Sequence, residues 1–292
     1  MDHDKVTGKR FFYVTVLNVL ITITEFIGGV LSGSLGLISD AFHNLEDSLS
    51  IVIAYVANVV GKRKNNSKKT FGNKRAEILA AFVNSIVLVV ITLMMVFESF
   101  RRLSQPQHIN GKLMMIVAII GLVANLVSML LLFSGSKHNL NIKATFLHML
   151  TDTLSSIGVL IASVFVILFN WNWVDPLITI IIAIWLLKEA YSVVSETINI
   201  LMEASPKIDL DAVQEAILTI PEIIKVHHVH VWMIDENHIM LDAHINVKIS
   251  CNIAQLDELY DKVDKLLNDK FNITHVTLQA EGSRGLDDSL ID

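Results

Sequence analysis

The chain has 292 residues, 52% hydrophobic and only 18% charged, with a mean hydropathy of +0.54; soluble domains carry about a quarter charged residues, so the composition points to a membrane protein. A net charge of −6 argues against nucleic acid as a partner, because a phosphate-binding surface needs a basic excess. The sole cysteine, Cys251, excludes an intramolecular disulfide and a thiolate cluster within one chain.

The N-terminal stretch MDHDKVTGKR is polar and of mixed charge. The apolar run behind it is long and lacks a small-residue cleavage site, which predicts an uncleaved first membrane helix rather than a signal peptide. Apolar runs of the length that crosses a bilayer recur near 12–32, 38–60, 77–97, 113–133, 144–169 and 177–199. Six crossings place both termini on one side. That side carries Lys5, Lys9 and Arg10, then Lys62, Arg63, Lys64, Lys68, Lys69, Lys74 and Arg75 in the second linker, then Lys137 and Lys143. The opposite loops carry only Arg101, Arg102 and Lys112, so the excess of basic residues predicts cytoplasmic termini.

From about Glu203 the composition changes. SPKIDLDAVQEAILTIPEI reads as an amphipathic helix, with Ile208, Leu210, Val213, Ala216, Ile217 and Ile220 near the helical period and Pro206 and Pro221 as punctuation. IKVHHVHVWMI, HIMLDAHINVKI and NITHVTLQAE read as three strands, and AQLDELYDKVDKLLND as a helix between the second and third. The expected fold is therefore a polytopic membrane protein: a six-helix transmembrane bundle over 1–202, then a small cytoplasmic α+β domain of order α-β-β-α-β over 203–282. Helices are expected on one face of its sheet. Residues 283–292 read as a flexible acidic tail.

The chemistry is concentrated in two stretches. His43 and Asp47, and again His148 and Asp152, stand four residues apart within long apolar segments. Positions i and i+4 share one helix face, so two such helices packed together would converge two nitrogens and two oxygens. An aspartate at the centre of a membrane helix costs about 2.5–3.5 kcal/mol on insertion scales. Two carboxylates offset that cost by neutralising one divalent cation, and two neutral imidazoles complete four ligands. This set suits zinc, with cadmium, cobalt, nickel or iron possible by geometry; calcium and magnesium prefer all-oxygen sites. A lone His-Asp pair could be a structural hydrogen bond between helices, but two pairs of identical spacing argue for metal. Ligation needs neutral histidine and ionised aspartate, so metal and protons compete for the same groups. Asp40, one turn before His43, and Glu25 in the first helix are candidates to orient ligands or line a water path. Asn18, Asn84 and Asn125 are expected to make interhelical hydrogen bonds.

Six helices, a basic linker after the second and an α+β tail together resemble the cation diffusion facilitator family over nearly the whole chain. SGSLGLISDAFHNLEDSLS and ATFLHMLTDTLSSIGV are similar to its two signature stretches, and FGNKRAEILAAFVN to its lead into helix three, with Phe71 where tyrosine is common. The resemblance implies zinc efflux from the cytosol by proton antiport across the cell (inner) membrane, through an alternating-access homodimer. It places transport ligands on His43, Asp47, His148 and Asp152; histidine at the first position favours zinc over cadmium. It also implies a metallochaperone-like tail domain with a possible regulatory metal site on His227, His244 and Glu281. A further tail histidine of some members has Asp257 as its counterpart here, and the second linker lacks the His and Asp of an extra site found in relatives. The short link SGSKHNLNIK, with one histidine, resembles the bacterial members rather than the eukaryotic ones with a long His-rich insertion.

In an ideal strand His228 and His230 would share one face and His227 the other. Two rivals to transport remain: a membrane metal sensor in which nothing crosses, and an intramembrane metallohydrolase. The second needs a general base near the metal. Glu46 adjoins Asp47 in sequence but points about 100° away around the helix, so no enzyme is expected.

Overall fold

The computed structural model describes the backbone of residues 2–136, 140–248 and 252–291; the side chains of 2–14, 51, 54 and 131–148 lie outside the described residues. The chain divides into two compact units, Met1–Val56 with Val83–Val194 and Ala57–Phe82 with Ser195–Asp292.

Six long helices make up the first two-thirds: α1 (Asp2–Ser32), α2 (Leu35–Gly61), α3 (Ala76–Ser104), α4 (Gly111–Ser136), α5 (Leu140–Phe169) and α6 (Val174–Leu201). They begin or end several residues beyond the apolar runs, because their polar ends continue the helical backbone. A helix satisfies its backbone hydrogen bonds internally, which hydrocarbon demands. Five are long and apolar enough to cross a membrane, and α2, which carries Asp40, Glu46 and Asp47, is the exception among the described residues. Large apolar side chains such as Phe97, 74% exposed, cover the outer surfaces of these helices.

In the first unit α4 packs closely against α1 and α5, around a core that includes Met114, Val117, Val159 and Ala162. Leu37 of α2 joins this core, and polar side chains tie the helix further. Its N-terminus is capped from α6: Asp175 Oδ2 accepts from Leu35 N at 2.7 Å, and Oδ1 accepts from Ser34 Oγ at 2.6 Å and Gly36 N at 3.1 Å. A carboxylate at a helix N-terminus satisfies donors that the helix leaves open and opposes the helix dipole. Arg102 of α3 donates to the Gly33 carbonyl in the turn before α2 and pairs with Glu98 at 3.1 Å. At the turn between α5 and α6, Phe165 stacks on Trp171 at 5.7 Å, with Phe169 and Trp173 alongside. Such aromatic clusters favour the depth of the lipid headgroups.

The C-terminal part of the second unit has α7 (Leu210–Leu218), β1 (Ile223–Asp235), β2 (His238–Val247), α8 (Ile253–Phe271) and β3 (Ile273–Glu281), the expected α-β-β-α-β order. The sheet order is β1-β2-β3, antiparallel between β1 and β2 and parallel between β2 and β3. Asp209 caps α7, a reciprocal Asn252–Gln255 box opens α8, and Asn272 in the left-handed region closes it. Val213 and Ile217 of α7 and Leu259, Val263 and Leu267 of α8 bury one face of the sheet, where Val226, Val229, Val231, Ala243 and Ile245 meet them.

Asp175→Ala would leave the buried donors of Ser34, Leu35 and Gly36 without their acceptor. We expect a loss of about 1–3 kcal/mol for each donor stranded, read as a lower thermal unfolding midpoint of the detergent-purified protein. Asp175→Asn, which keeps an acceptor oxygen, should lose less.

Candidate metal centres

Two separate clusters of ligating side chains occur among the described residues, one in each unit. In the first unit, α2 presents His43 and Asp47 on one face, and α5 brings Asp152 against them. His43 Nε2 lies 3.8 Å from Asp47 Oδ2 and 3.5 Å from Asp152 Oδ1. One ligand atom from each of the three falls within 4.8 Å of the others. His43 and Asp152 are buried and Asp47 is partly so. One imidazole nitrogen and two carboxylate oxygens at this spacing can close on a single small divalent cation. His148 precedes Asp152 by one turn of α5, and its side chain lies outside the described residues.

The acidic groups around the cluster are each tied elsewhere. Asn44 Nδ2 donates to Glu25 Oε2 at 2.8 Å, joining α2 to α1. Ser155 donates to Asp40, joining α5 to α2. Gly121 on α4 admits Glu25: a Cβ there would meet the Glu25 carboxylate at about 2.5 Å. Glu46 accepts from Asn84 of α3 and, at 3.0 Å, from Ser50, so it turns away from the metal-binding face as the helical angle predicts. Asn125 Nδ2 donates to Ser156 Oγ at 3.2 Å, joining α4 and α5. Two of the three asparagines thus bond between helices, whereas Asn18 Oδ1 has no hydrogen-bond partner among the described residues.

The second cluster lies on the sheet face away from α7 and α8. His227 and His244 are cross-strand partners of β1 and β2, and Glu281 ends β3 opposite Asn246. His227 Nε2 is 3.4 Å from Glu281 Oε2, and His244 Nδ1 is 3.3 Å from Glu281 Oε1. One ligand atom from each again falls within 4.8 Å of the others. His227 is 1% exposed, and neither of its ring nitrogens nor Glu281 Oε2 has a hydrogen-bond partner among the described residues. Buried polar atoms left in this way are costly, and a divalent cation bound to two imidazoles and a carboxylate would satisfy them. The donor set therefore fits a metal. Burial pushes the Glu281 carboxyl up, but the Gln279 amide and then His244, His227 and Arg284 outweigh it and hold the group below the usual carboxylate range. It is thus ionised and ready to ligate at neutral pH.

The strict alternation expected for β1 fails here. Its register slips between His227 and His230, and His228 takes a positive φ of 52°. This β-bulge puts Val226 and Val229, three residues apart, into the same core. His227, His228 and His230 consequently all lie on the opposite face. The His228 ring sits 4.7 Å from that of His230 and 4.6 Å from that of His244. No local sequence signal marks the bulge beyond the consecutive histidines themselves.

The fold agrees with two family models. Residues 11–202 match the cation efflux transmembrane domain, and 205–283 match the cation efflux protein, cytoplasmic domain. The chain belongs to the cation efflux family. It is 38% identical over 287 residues to the cadmium, cobalt and zinc/H(+)-K(+) antiporter of Bacillus subtilis, covering 96% of this chain and 92% of that one. The zinc transporter ZitB of Escherichia coli is 37% identical, covering 94% and 87%. The metal cation efflux system protein CzcD of Cupriavidus metallidurans is 34% identical, covering 96% and 88%. The family consists of transporters, and this member is a multi-pass membrane protein.

The separate surroundings of Asp47 and Glu46 generate a contrast between neighbouring carboxylates. With the second cluster silenced by His227→Ala and His244→Ala, Asp47→Asn is expected to abolish high-affinity zinc binding in detergent. Glu46→Gln should leave the affinity within a few-fold of the parent. Calorimetric titration distinguishes them, and equal losses in both variants would contradict the assigned ligand face.

Proposed function

We propose that this protein exports a divalent metal, foremost zinc, from the cytosol in exchange for protons, working as a homodimer. The observation that carries the reading is the His43–Asp47–Asp152 cluster inside a helical unit of a cation efflux protein. The relatives support it: two of the three cited above are named for zinc, and one is named an antiporter using H(+). By its spacing from Asp152, His148 is assigned as the fourth ligand. Cadmium, cobalt, nickel and iron are further candidate cargoes of the same donor set.

The coupling follows from the ligands. A histidine accepts metal only when neutral and an aspartate only when ionised. Protons arriving from the acidic side therefore displace the cation, and metal arriving from the cytosol displaces protons. Exchange results if the cluster opens to one side at a time. Each occupant shifts the balance of the two conformations only as far as it binds them differently. We assign residues 1–202 to the transport domain and 203–282 to a cytoplasmic dimerisation and regulatory domain. His227, His244 and Glu281 are its metal ligands, where zinc would stabilise one arrangement of the domain. The termini are assigned to the cytoplasm from the basic linkers. No hydrolytic role is assigned, since Glu46 is engaged with Asn84 and Ser50.

Reconstituted in liposomes under an imposed pH gradient, the wild type is expected to accumulate zinc. Asp47→Ala and Asp152→Ala should both fall to the level of protein-free vesicles. Unchanged uptake in both variants would defeat the site assignment; saturable zinc binding without accumulation would favour a sensor over a carrier. Orientation is checked separately by placing a cysteine at Lys64 in a Cys251→Ser background. An impermeant maleimide should label it in inside-out vesicles and not in right-side-out ones.

A further inference from the structure

The segment after β3, expected to be a flexible tail, lies along β1 and over the second metal cluster. Its hold is distributed. Asn246 Nδ2 donates to the Arg284 carbonyl at 2.7 Å. Lys225 Nζ donates to the carbonyls of Leu286 at 2.5 Å and Asp288 at 2.6 Å. Beyond these, Val229 N donates to the Leu290 carbonyl at 2.8 Å and His228 N to that of Ser289 at 3.4 Å, and Leu290 packs against the domain core.

Two positions touch His227 directly. Gly285, at a φ of +69°, rests on the imidazole so closely that a Cβ would overlap the ring, meeting Nε2 at about 2.6 Å and Nδ1 at about 2.9 Å. Only glycine combines that conformation with that approach. Asp288 Oδ2 stands 3.7 Å from His227 Nδ1, while Nε2 on the other side of the ring faces Glu281 Oε2 at 3.4 Å. The ring is thus flanked by a carboxylate on each nitrogen, with the ligand Glu281 on the Nε2 side.

We propose that residues 284–291 form a strap that completes the cytoplasmic metal site, with Asp288 as the positioning residue for His227; this rests on reading His227, His244 and Glu281 as metal ligands. A metal held on Nε2 requires the ring proton on Nδ1, where it becomes a donor. Asp288, 57% exposed at its side chain, needs only a small rotation to accept that proton's hydrogen bond. A carboxylate on the far nitrogen fixes the tautomer, holds the ring plane and raises the basicity of the ligating nitrogen. Gly285 meanwhile keeps water off the ring face. Because strap and metal meet on the same imidazole, each strengthens the binding of the other by the same factor. Zinc arrival would therefore fasten the C-terminus along β1, and zinc loss would release it.

The test uses the full chain in detergent with the transmembrane cluster silenced by Asp47→Ala and Asp152→Ala. Zinc affinity is measured against a chromophoric chelator, and cleavage by trypsin after Arg284 is followed by mass spectrometry with and without zinc. We expect Asp288→Ala, and truncation after Arg284, each to weaken zinc by about 10–100-fold, the range for loss of such an outer carboxylate. Asp288→Asn, which keeps an acceptor without its charge, should fall between. In the chain with its strap intact, zinc should slow cleavage after Arg284, and His244→Ala should remove that protection. Zinc bound and lost in His244→Ala, yet unaffected by Asp288→Ala and by truncation and without effect on cleavage, would overturn the strap alone. Absence of any zinc that His244→Ala removes would overturn the ligand assignment and the strap with it.

Discussion

Acidic groups buried among apolar helices govern the architecture of the first unit. A carboxylate in hydrocarbon is tolerated only where donors or a cation meet it, and each of those on α2, or facing it, has been given such a partner. Asn44 of α2 bonds Glu25 of α1, Glu46 of α2 bonds Asn84 of α3, Ser155 of α5 bonds Asp40 of α2, and Asp175 of α6 caps the N-terminus of α2. Asp47 and Asp152 meet at His43. One helix is thereby tied to four neighbours by polar contacts, while α1, α4 and α5 are joined by close packing. Polar ties of this kind are directional and can be exchanged one for one. Packed apolar surfaces resist such exchange because any gap forfeits many contacts at once. His43 and Asp47 sit on the helix with these polar ties, and Asp152 faces them from the closely packed α5.

Much of this was legible in the sequence. Apolar runs located the six helices, and the four-residue spacing of His43 and Asp47 put both on one face, where Asp152 joins them. Glu46 was read as turned aside by its helical angle, and it is. What could not be read were partners distant in the chain. Nothing local to Asp175 announces that it will cap a helix about 140 residues earlier, because capping depends on where α6 happens to begin. The order α-β-β-α-β followed from alternation and punctuation, but the faces did not. A bulge adds one residue to a strand and reverses the parity of everything beyond it, so His227 joins His228 and His230 on one side. The tail misled for a related reason. Its polar, acidic composition lacks the apolar surface to fold alone, and its bonds are made by Lys225, Asn246 and β1, some forty to sixty residues upstream.

The two clusters solve different problems with similar ligands. In the first unit, His43 meets two buried or partly buried carboxylates, Asp47 and Asp152, and buried charge is the cost to be met, so as a carrier site it would be contested by metal and protons. In the second, two histidines and one carboxylate sit on a rigid sheet, with His227 sealed from solvent. Strand pairing fixes the spacing of His227 and His244, and β3 supplies Glu281 from a parallel neighbour. A site built on a sheet is preorganised, and its ligands have little room to move apart.

The backbone bonds between β1 and Leu290 and Ser289 carry one more consequence. A three-stranded sheet has two open margins, and an open margin invites pairing with any extended chain. In this domain the margin on β1 is occupied at the bulge by the protein's own last residues. An extended chain seeking to continue the sheet through β1 would have to displace these residues first. The backbone donors of His228 and Val229 are thus kept from pairing with a foreign strand at the bulge.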